Sequence, residues 1–346
     1  MAVEHVTDQA VGLATRQVID THSHWRPPGY VELMLAAAER DPEFRRRFSL
    51  SVRSAAEARR KAPEESLAEK IADLDMGGVD VALISLPPPG ANFVHQQISE
   101  RVASEMNDAL ADTAARSNGR IRALISLPLP AVAASLAELD RFGGDPGVAG
   151  VQLISNIGSR DVAPDRSEEV LARAAELGLP VVLHPAVESG VETLDDWMLD
   201  ASLSPVVTSS LAAARLVLSG VLDRVPDLNV VVPHLGGVLP YLTQRFVDFG
   251  TGSAEHDLVY YLRHRLFVDT CSYHPPAMRC AIATLGADRL VLGSDHPSRG
   301  AVGRAVADVR GHFETDQEAS AVLGGTAATL FRLAVSEPHR HGVDYG

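Results

Sequence analysis

Short apolar segments alternate with helical segments eight times along this chain of 346 residues. Each apolar segment is hydrophobic almost throughout, which is typical of strands in a parallel sheet covered by helices. The predicted strands are Val18–His24, Val79–Pro87, Ile121–Pro128, Val148–Ser155, Pro180–Pro185, Asn229–Gly237, Leu266–Cys271 and Asp288–Pro297. Eight such units in one chain favour an α/β fold of the (β/α)8 TIM-barrel type over an open sheet. No Gly-x-Gly-x-x-Gly motif follows the first strand, which argues against a dinucleotide-binding fold.

The segment after the first strand is longer than a single connection needs. Residues 30–70 are helical and charged in character, and we expect a helical insertion over the barrel mouth; a solvated helical face would carry the same charges. Helices are predicted behind the later strands at Val94–Ser117, Ala131–Phe142, Ser167–Leu177, Ser209–Val225, Leu239–Phe249 and Pro276–Leu285, with two more at the end. No linker interrupts the chain, so we predict one domain over 18–335, a lead-in at 1–17 and a tail at 336–346.

Charge and composition narrow the class of protein. The net charge of −14 argues against nucleic acid as a partner, yet suits an anionic small molecule, because a few arginines can make one pocket locally positive. No apolar run approaches the roughly 18–20 residues of a membrane span, and residues 1–17 lack the order of a signal peptide. Two cysteines, Cys271 and Cys280, argue against a disulfide framework and suit the reducing cytoplasm, where we expect the protein.

Metal-binding residue types stand at the ends of four predicted strands. His22 and His24 end the first strand and, being two residues apart, face the same way. His184, His234 and Asp295 stand at the ends of the fifth, sixth and eighth strands. A lone histidine in such a position is more often a packed or surface residue. Five ligand-type side chains at the carboxyl end of one barrel predict a metal site.

Several motifs together resemble a known family. They are Thr21-His-Ser-His24 with Pro27, His184-Pro185, Pro233-His-Leu-Gly-Gly237 with Pro240, Gly293-Ser-Asp-His-Pro297 and Gly325-Thr-Ala-Ala-Thr-Leu-Phe331. The chain is similar to the amidohydrolase superfamily from about Val18 to Leu333, in the branch that contains aminocarboxymuconate-semialdehyde decarboxylase. Resorcylate-type decarboxylases of this branch tend to carry Glu in place of Gly237 and often of the first histidine. His22 and Gly237 therefore favour the aminocarboxymuconate or methylsalicylate type.

The resemblance implies a metal centre with an open position for water or substrate. The implied ligands are His22, His24, His184 and Asp295. The ion would be zinc, with manganese as the alternative. His234 would be catalytic rather than a ligand, as the acid/base that orients a water at the ion, and Asp295 would be both ligand and catalytic residue.

The positions of the two lysines indicate how many metal ions the site holds. Binuclear relatives bridge two ions with a carboxylated lysine at the end of the fourth strand, which here reads Val151-Gln-Leu-Ile-Ser155. The chain has only Lys61 and Lys70, and neither lies near a predicted strand end. We therefore expect one divalent ion per chain.

The predicted substrate contacts are Arg47, Trp197, Arg245 and His296. Arg245 stands eleven residues after His234, where relatives carry an arginine that reaches a substrate carboxylate in the neighbouring subunit; this implies a homodimer. A helix-surface arginine is the alternative. A second carboxylate-binding arginine is expected after the first strand, and the sequence does not choose among Arg45, Arg46, Arg47 and Arg53.

Three further residues have open roles. His296 departs from the family pattern and either touches substrate or packs behind the site. Trp197 either stacks on substrate or packs against the protein. Cys271 ends the seventh strand and either faces the pocket or is a buried, inert thiol.

The resemblance implies a metal-dependent, non-oxidative decarboxylase of an unsaturated or aromatic carboxylic acid. Hydrolysis of a C–N, C–O or C–C bond by the same centre is the alternative, since both reactions need the same ligands and a histidine base. A barrel that binds a ligand without turnover is a third hypothesis.

Overall fold

The computed structural model describes residues 17–61, 66–155, 167–186 and 196–334. Eight parallel strands form one sheet in chain order: β1 (Ile19–His24), β2 (Val81–Ser85), β3 (Ile121–Ser126), β4 (Val148–Ile154), β5 (Val181–His184), β6 (Val230–Val232), β7 (Leu266–Asp269) and β8 (Leu290–Val291). The amides of Thr21 and His24 donate to the carbonyls of Leu292 and His296, both at 2.8 Å, so the chain after β8 closes the sheet onto β1. The predicted (β/α)8 barrel is confirmed.

Helices connect the strands on the outside. They are α1 (Tyr30–Arg40), α2 (Pro42–Arg47), α3 (Ser49–Lys61), α4 (Leu67–Gly77), α5 (Gln96–Ala115), α6 (Val132–Phe142), α7 (Glu168–Glu176), α8 (Leu199–Ser202), α9 (Ser204–Leu218), α10 (Val221–Arg224), α11 (Pro233–Gly236), α12 (Leu239–Phe249), α13 (Leu258–His264), α14 (Pro275–Leu285), α15 (Gly303–Arg310), α16 (Asp316–Ser320) and α17 (Thr326–Leu330). Helices α1 to α3 lie in the segment predicted as an insertion. The predicted lead-in, apart from Gln17, and the predicted tail lie outside the described residues.

The inside of the barrel is apolar at the amino-terminal end of the strands and polar at their carboxyl-terminal end. Inward side chains such as Ile19, Leu83, Val182 and Val231 form one buried cluster with Phe331, which follows α17. This cluster fills the amino-terminal end of the barrel and stabilises it by excluding water. The opposite end of the same strands carries the polar side chains of the candidate site.

A β-bulge in β1 sets which way its histidines point. Between Asp20 and Ser23 the strand contains one residue more than the paired segment of β2, where Ala82 and Ile84 are the partners. A bulge of this kind reverses the alternation of side chains. Ile19 and His22 are three residues apart and yet both point into the barrel.

Three predicted boundaries are wrong, and each error has a local cause. The sixth strand ends at Val232, because Pro233 cannot donate a ladder hydrogen bond and the chain turns into α11. The eighth strand is only Leu290–Val291, because residues 287–289 form a 3-10 turn and the chain leaves the sheet before Asp295. The helix predicted at Ser209–Val225 begins earlier, at Ser204, and breaks at Gly220, which has φ +72°.

One stretch bears on the expectation that no segment spans a membrane. By length and composition alone, Leu199–Leu218 could cross a bilayer, and 39% of it is buried in the protein. The stretch consists of two helices, α8 and α9, that meet at Leu203. Ala213, Leu216 and Val217 of α9 are fully buried, so packing onto the barrel accounts for much of the apolar character of this stretch.

Candidate metal centre and active site

Three histidines and one aspartate converge at the carboxyl end of the barrel. His22 and His24 come from β1, His184 from the end of β5, and Asp295 from the loop after β8. One potential ligand atom from each lies within 4.8 Å of all the others. The Nε2 atoms of His22 and His184 are 3.1 Å apart, and the Nε2 atom of His24 is 3.2 Å from Oδ1 of Asp295. The donors therefore surround a point where one cation fits.

The outer nitrogens of the histidines show why this point favours a positive charge. The Nδ1 atom of His184 lies 2.9 Å from the carbonyl oxygen of Pro185, which can only accept, so Nδ1 carries a hydrogen. The Nδ1 atom of His22 likewise donates to Asp269, at 2.6 Å. Both Nε2 atoms then point lone pairs at each other, which requires a proton or a metal ion beside them. Burial opposes protonation of His22, but the hydrogen bond and charge of Asp269 outweigh it and raise its pKa to about 9.

Asp295 is held in a conformation that non-glycine residues rarely adopt. Its φ is +54°, in the left-handed region, and its amide donates to the carbonyl of His22 at 2.8 Å. The neighbouring Ser294 is fixed by Asp20, which accepts from the Ser294 amide at 3.0 Å and from its hydroxyl at 2.5 Å. Burial would raise the pKa of Asp295, but the hydrogen bond from His24 and the nearby histidine charges lower it below its usual range. The carboxylate is therefore ionised and ready to bind a cation.

His234 lies beside this centre rather than within it. Its ring centroid is 5.5 Å from that of His22 and 6.3 Å from that of His184. Both His234 and Leu235 have φ +57°, and the His234 amide donates to Asp269 at 2.7 Å. Its Nδ1 atom is buried without a hydrogen-bond partner among the described residues. Burial lowers the pKa of His234, so the ring is a neutral base with an unused nitrogen.

Asp269 is a functional residue that the sequence analysis missed. One carboxylate oxygen accepts from the ring of His22, and the other accepts from the backbone amides of His234 and Cys271. Burial would raise the pKa of Asp269, but the hydrogen bond and charge of His22 lower it, so the carboxylate is ionised. Its position at the end of β7 was the available signal, because the carboxyl ends of all eight strands meet at this face.

A cavity of about 780 Å³ opens above the centre. His24, His184, His234 and Asp295 line it, together with residues of α1, α3, α9 and α12. Asp295 is the only carboxylate that lines it within the described part of the chain, and the arginines there are Arg26 and Arg299. With a divalent ion bound, the cavity would carry more positive than negative charge, although the whole chain is acidic.

None of the four predicted substrate contacts lines this cavity in its own subunit. Trp197 is 90% exposed. Arg245 is exposed on α12, with its guanidinium carbon 5.2 Å from the ring centroid of Phe249. Arg47 lies 3.7 Å from Glu43 on α2. The role of Arg245 toward a neighbouring subunit stays a prediction.

The other arginines considered after the first strand also lie outside the cavity lining. Arg45 donates to the carbonyl of Ala38, and Arg53 lies 3.8 Å from Asp200. Arg46 is exposed on α2. Arg26, which the sequence analysis did not consider, is the arginine of this segment that reaches the cavity.

His296 packs behind the site, against Lys70. The Nζ atom of Lys70 lies 2.8 Å from Nδ1 of His296, and donates to the Ser23 hydroxyl at 2.7 Å and the His24 carbonyl at 3.2 Å. Burial and the charge of Lys70 lower the pKa of His296 to about 4, so its ring is neutral and accepts the proton. The expectation that neither lysine lies near a strand end is therefore wrong. Helix α4 brings the side chain of Lys70 into contact with His24, the last residue of β1. Lys70 does not line the cavity.

Cys271 combines the two roles considered for it. It lines the cavity, and its sulfur lies within 4.8 Å of potential ligand atoms of His22 and His234. It is also 3% exposed, and burial raises the pKa of its thiol well above the usual range. Cys271 and Cys280 are both free.

The fold and the site together define a class: a (β/α)8 barrel with a histidine- and aspartate-based metal centre at the carboxyl ends of its strands. Comparison with known families agrees. A family model described as Amidohydrolase matches residues 19–333, and the chain belongs to this family.

Individual relatives are distant. The chain is 24% identical over 276 residues to 2-amino-3-carboxymuconate-6-semialdehyde decarboxylase of Dictyostelium discoideum, and the aligned region covers 76% of each chain. It is similar in structure to 5-carboxyvanillate decarboxylase LigW from Sphingomonas paucimobilis, with a TM-score of 0.82 at 23% identity over 92% of this chain and 99% of that one. A 5-carboxyvanillate decarboxylase from Novosphingobium aromaticivorans, solved with bound manganese, has a TM-score of 0.80 at 20% identity over 92% and 98% of the two chains.

Proposed function

We propose that this protein is a metal-dependent, non-oxidative decarboxylase of an unsaturated or aromatic carboxylic acid. The observation that carries the proposal is the cavity itself: it lies directly over the converging donors, and its charged lining is suited to an anion. The decarboxylase activities named for the relatives support the same reaction. A cavity of about 780 Å³ has ample room for a substituted ring.

The chemistry divides among the residues of the chain. His22, His24, His184 and Asp295 would hold a divalent cation, which supplies Lewis-acid polarisation of a substrate oxygen when bound. Decarboxylation replaces the carboxylate by hydrogen: a proton is added to the carbon that carries the carboxylate, the C–C bond breaks, and carbon dioxide leaves while the electron pair returns to the unsaturated system. His234, a neutral base with an unused nitrogen, is placed to take up a proton from water and then to donate it, as the imidazolium, to that carbon.

The experiment that tests this function is a product assay. The metal-loaded protein is incubated with aromatic and unsaturated acids labelled with carbon-13 at the carboxyl group, and labelled carbon dioxide is measured alongside ring-opened or hydrolysed products. We expect carbon dioxide release that stops on chelation and returns on adding metal. Hydrolysis products without carbon dioxide would favour the alternative hydrolase. Binding without any product would favour a ligand-binding barrel.

We propose zinc as the ion, at one per chain. A set of three imidazoles and one carboxylate suits zinc, and zinc binds such donors more tightly than manganese does. Manganese is the ion bound in a relative of similar structure. Elemental analysis of protein purified without added metal, followed by reconstitution of the metal-free form with each ion, separates the two. Two ions per chain would overturn the single-ion proposal.

We also propose a homodimer whose interface lies near the cavity mouth. Tyr241, Arg245 and Phe249 are spaced four residues apart along α12, and the two aromatic side chains are 83% and 73% exposed. Trp197, two residues before α8, and Leu211 on α9 are further exposed apolar residues. Burying such a surface in a second copy would remove it from water. Mixed dimers of Arg245→Ala and His234→Asn chains should regain activity if Arg245 acts across the interface; verified mixed dimers without recovery would refute that role.

We propose that the protein works in the cytoplasm. Its two free cysteines suit a reducing compartment. Fractionation of the native host followed by immunodetection tests this location.

A further inference from the structure

Arg299 is a charged residue of the cavity that neither the metal centre nor the proposed proton transfer uses. It lies one turn after Asp295, and its amide donates to the Asp295 carbonyl at 3.1 Å. Its side chain lines the cavity and is exposed, so it stands toward the mouth, whereas His22, His24 and His184 are buried on the floor. Its position is fixed relative to the metal centre by this short loop.

The guanidinium of Arg299 has no acidic partner among the described residues. Its carbon lies 5.6 Å from the ring centroid of Tyr273, whose hydroxyl donates to the Ser294 carbonyl at 2.5 Å. Contact with an aromatic face leaves the N–H groups in the guanidinium plane available. Asp295 is already engaged by His24 and His22. The positive charge of Arg299 also reaches the catalytic side of the cavity, since it adds to the effect of burial in lowering the pKa of His234.

An unpaired guanidinium at a cavity mouth recognises an anion, and the reaction limits which anion this is. The charge of the leaving carboxylate disappears as carbon dioxide forms, so an arginine that paired tightly with that group would stabilise the substrate more than the transition state. A guanidinium at the mouth is better matched to an acidic group that the product keeps. A carboxylate is the group whose two oxygens fit the fork of the guanidinium.

We propose that Arg299 is a specificity-determining residue that binds a second carboxylate of the substrate, and that the natural substrate is therefore a dicarboxylic acid of which one carboxylate is lost. This inference rests on the proposed function for the identity of the leaving group. The binding of a second carboxylate by Arg299 can be measured without turnover.

The test uses the full-length, metal-loaded protein and calorimetric titration with benzoate and the three benzene dicarboxylates. The wild type is expected to bind at least one dicarboxylate about 10- to 100-fold more tightly than benzoate, as for a charge-assisted pair. Arg299→Ala should abolish this preference and leave benzoate binding unchanged, and Arg299→Lys should keep part of it. Arg304→Ala is the matched control, because Arg304 lies 4.3 Å from the same Tyr273 ring and does not line the cavity.

Three results would overturn the inference: a wild type without preference for any dicarboxylate, an Arg299→Ala protein that keeps the preference, or an equal loss in Arg304→Ala. A parallel assay of carbon dioxide release keeps the proposed function separate. A preference that depends on Arg299 without any carbon dioxide release would support the binding role and refute the decarboxylase. If carbon dioxide is released, and if kcat/KM is equal for monocarboxylic and dicarboxylic acids in both the wild type and Arg299→Ala, the decarboxylase is supported and the binding role of Arg299 is refuted.

Discussion

The floor of the cavity and its mouth are built on different principles. The floor side chains come from strand ends, and each histidine ligand has a described partner for its outer nitrogen: Asp269, Ser85 or the Pro185 carbonyl. The mouth is built from helices α1, α3, α9 and α12 and from loops, and its arginine Arg299 is exposed. The position of the three histidine ligands is set by the sheet, whereas helices such as α1 and α3 at the mouth can change without disturbing them.

The largest effect is expected from a change in the floor itself. His184→Asn removes one of the four converging donors, so the protein should lose both its metal and its activity, down to the level of the chelated wild type. Metal content by elemental analysis and carbon dioxide release check this outcome. An active His184→Asn protein with a full complement of metal would show that the floor is not the metal centre.

His234→Asn is the matched change just beside the floor. Because His234 lies outside the set of four donors, this variant should keep its metal while kcat falls on the order of 10²–10⁴-fold. The same two measurements apply. The expected metal contents of the His184→Asn and His234→Asn proteins are opposite, so the two variants together distinguish a ligand from a catalytic base. A metal-free His234→Asn protein would show that His234 is a ligand.

Asp269→Asn should weaken the floor without removing a donor. An amide accepts less strongly from His22 Nδ1, so metal affinity should fall about 10- to 100-fold. Competition with a chromophoric chelator measures this change. Asp73→Asn is the control, since Asp73 faces His296 on the outer side at 3.5 Å. Equal affinities in the two variants would mean that Asp269 does not support the centre.

The smallest effect is expected at Arg47. This residue lies outside the cavity lining and pairs with Glu43, so Arg47→Ala should change kcat/KM by less than about twofold, as for an ordinary surface substitution. Steady-state kinetics on the best substrate of the product assay checks this. A tenfold rise in KM would place Arg47 in the substrate site, as the sequence analysis predicted, and would mean that the mouth rearranges on binding.

The sequence was a good guide wherever the strand pattern itself places a residue. Eight apolar runs predicted the barrel, and strand ends predicted that His22, His24, His184 and Asp295 would meet. The bulge in β1 was not predictable, because strict alternation from Ile19 would turn His22 away from the barrel. The sequence did not indicate which arginines line the cavity: the five candidates Arg45, Arg46, Arg47, Arg53 and Arg245 stand on helices, whereas Arg26 and Arg299, which line it, stand on loops whose packing no local pattern reveals. Lys70 is the same case, since no local pattern indicates that α4 carries it to β1.

Asp269 joins two functions in one side chain, and this has a consequence for how such proteins diversify. One oxygen holds a candidate ligand and the other holds the backbone of the candidate base, while the residue itself does not line the cavity. The distance between the metal centre and His234 therefore depends on this one carboxylate. A lineage that changes α1, α3 or the side chain of Arg299 can exchange one acid for another, yet a change at Asp269 alters the support of the ion site and of the base together.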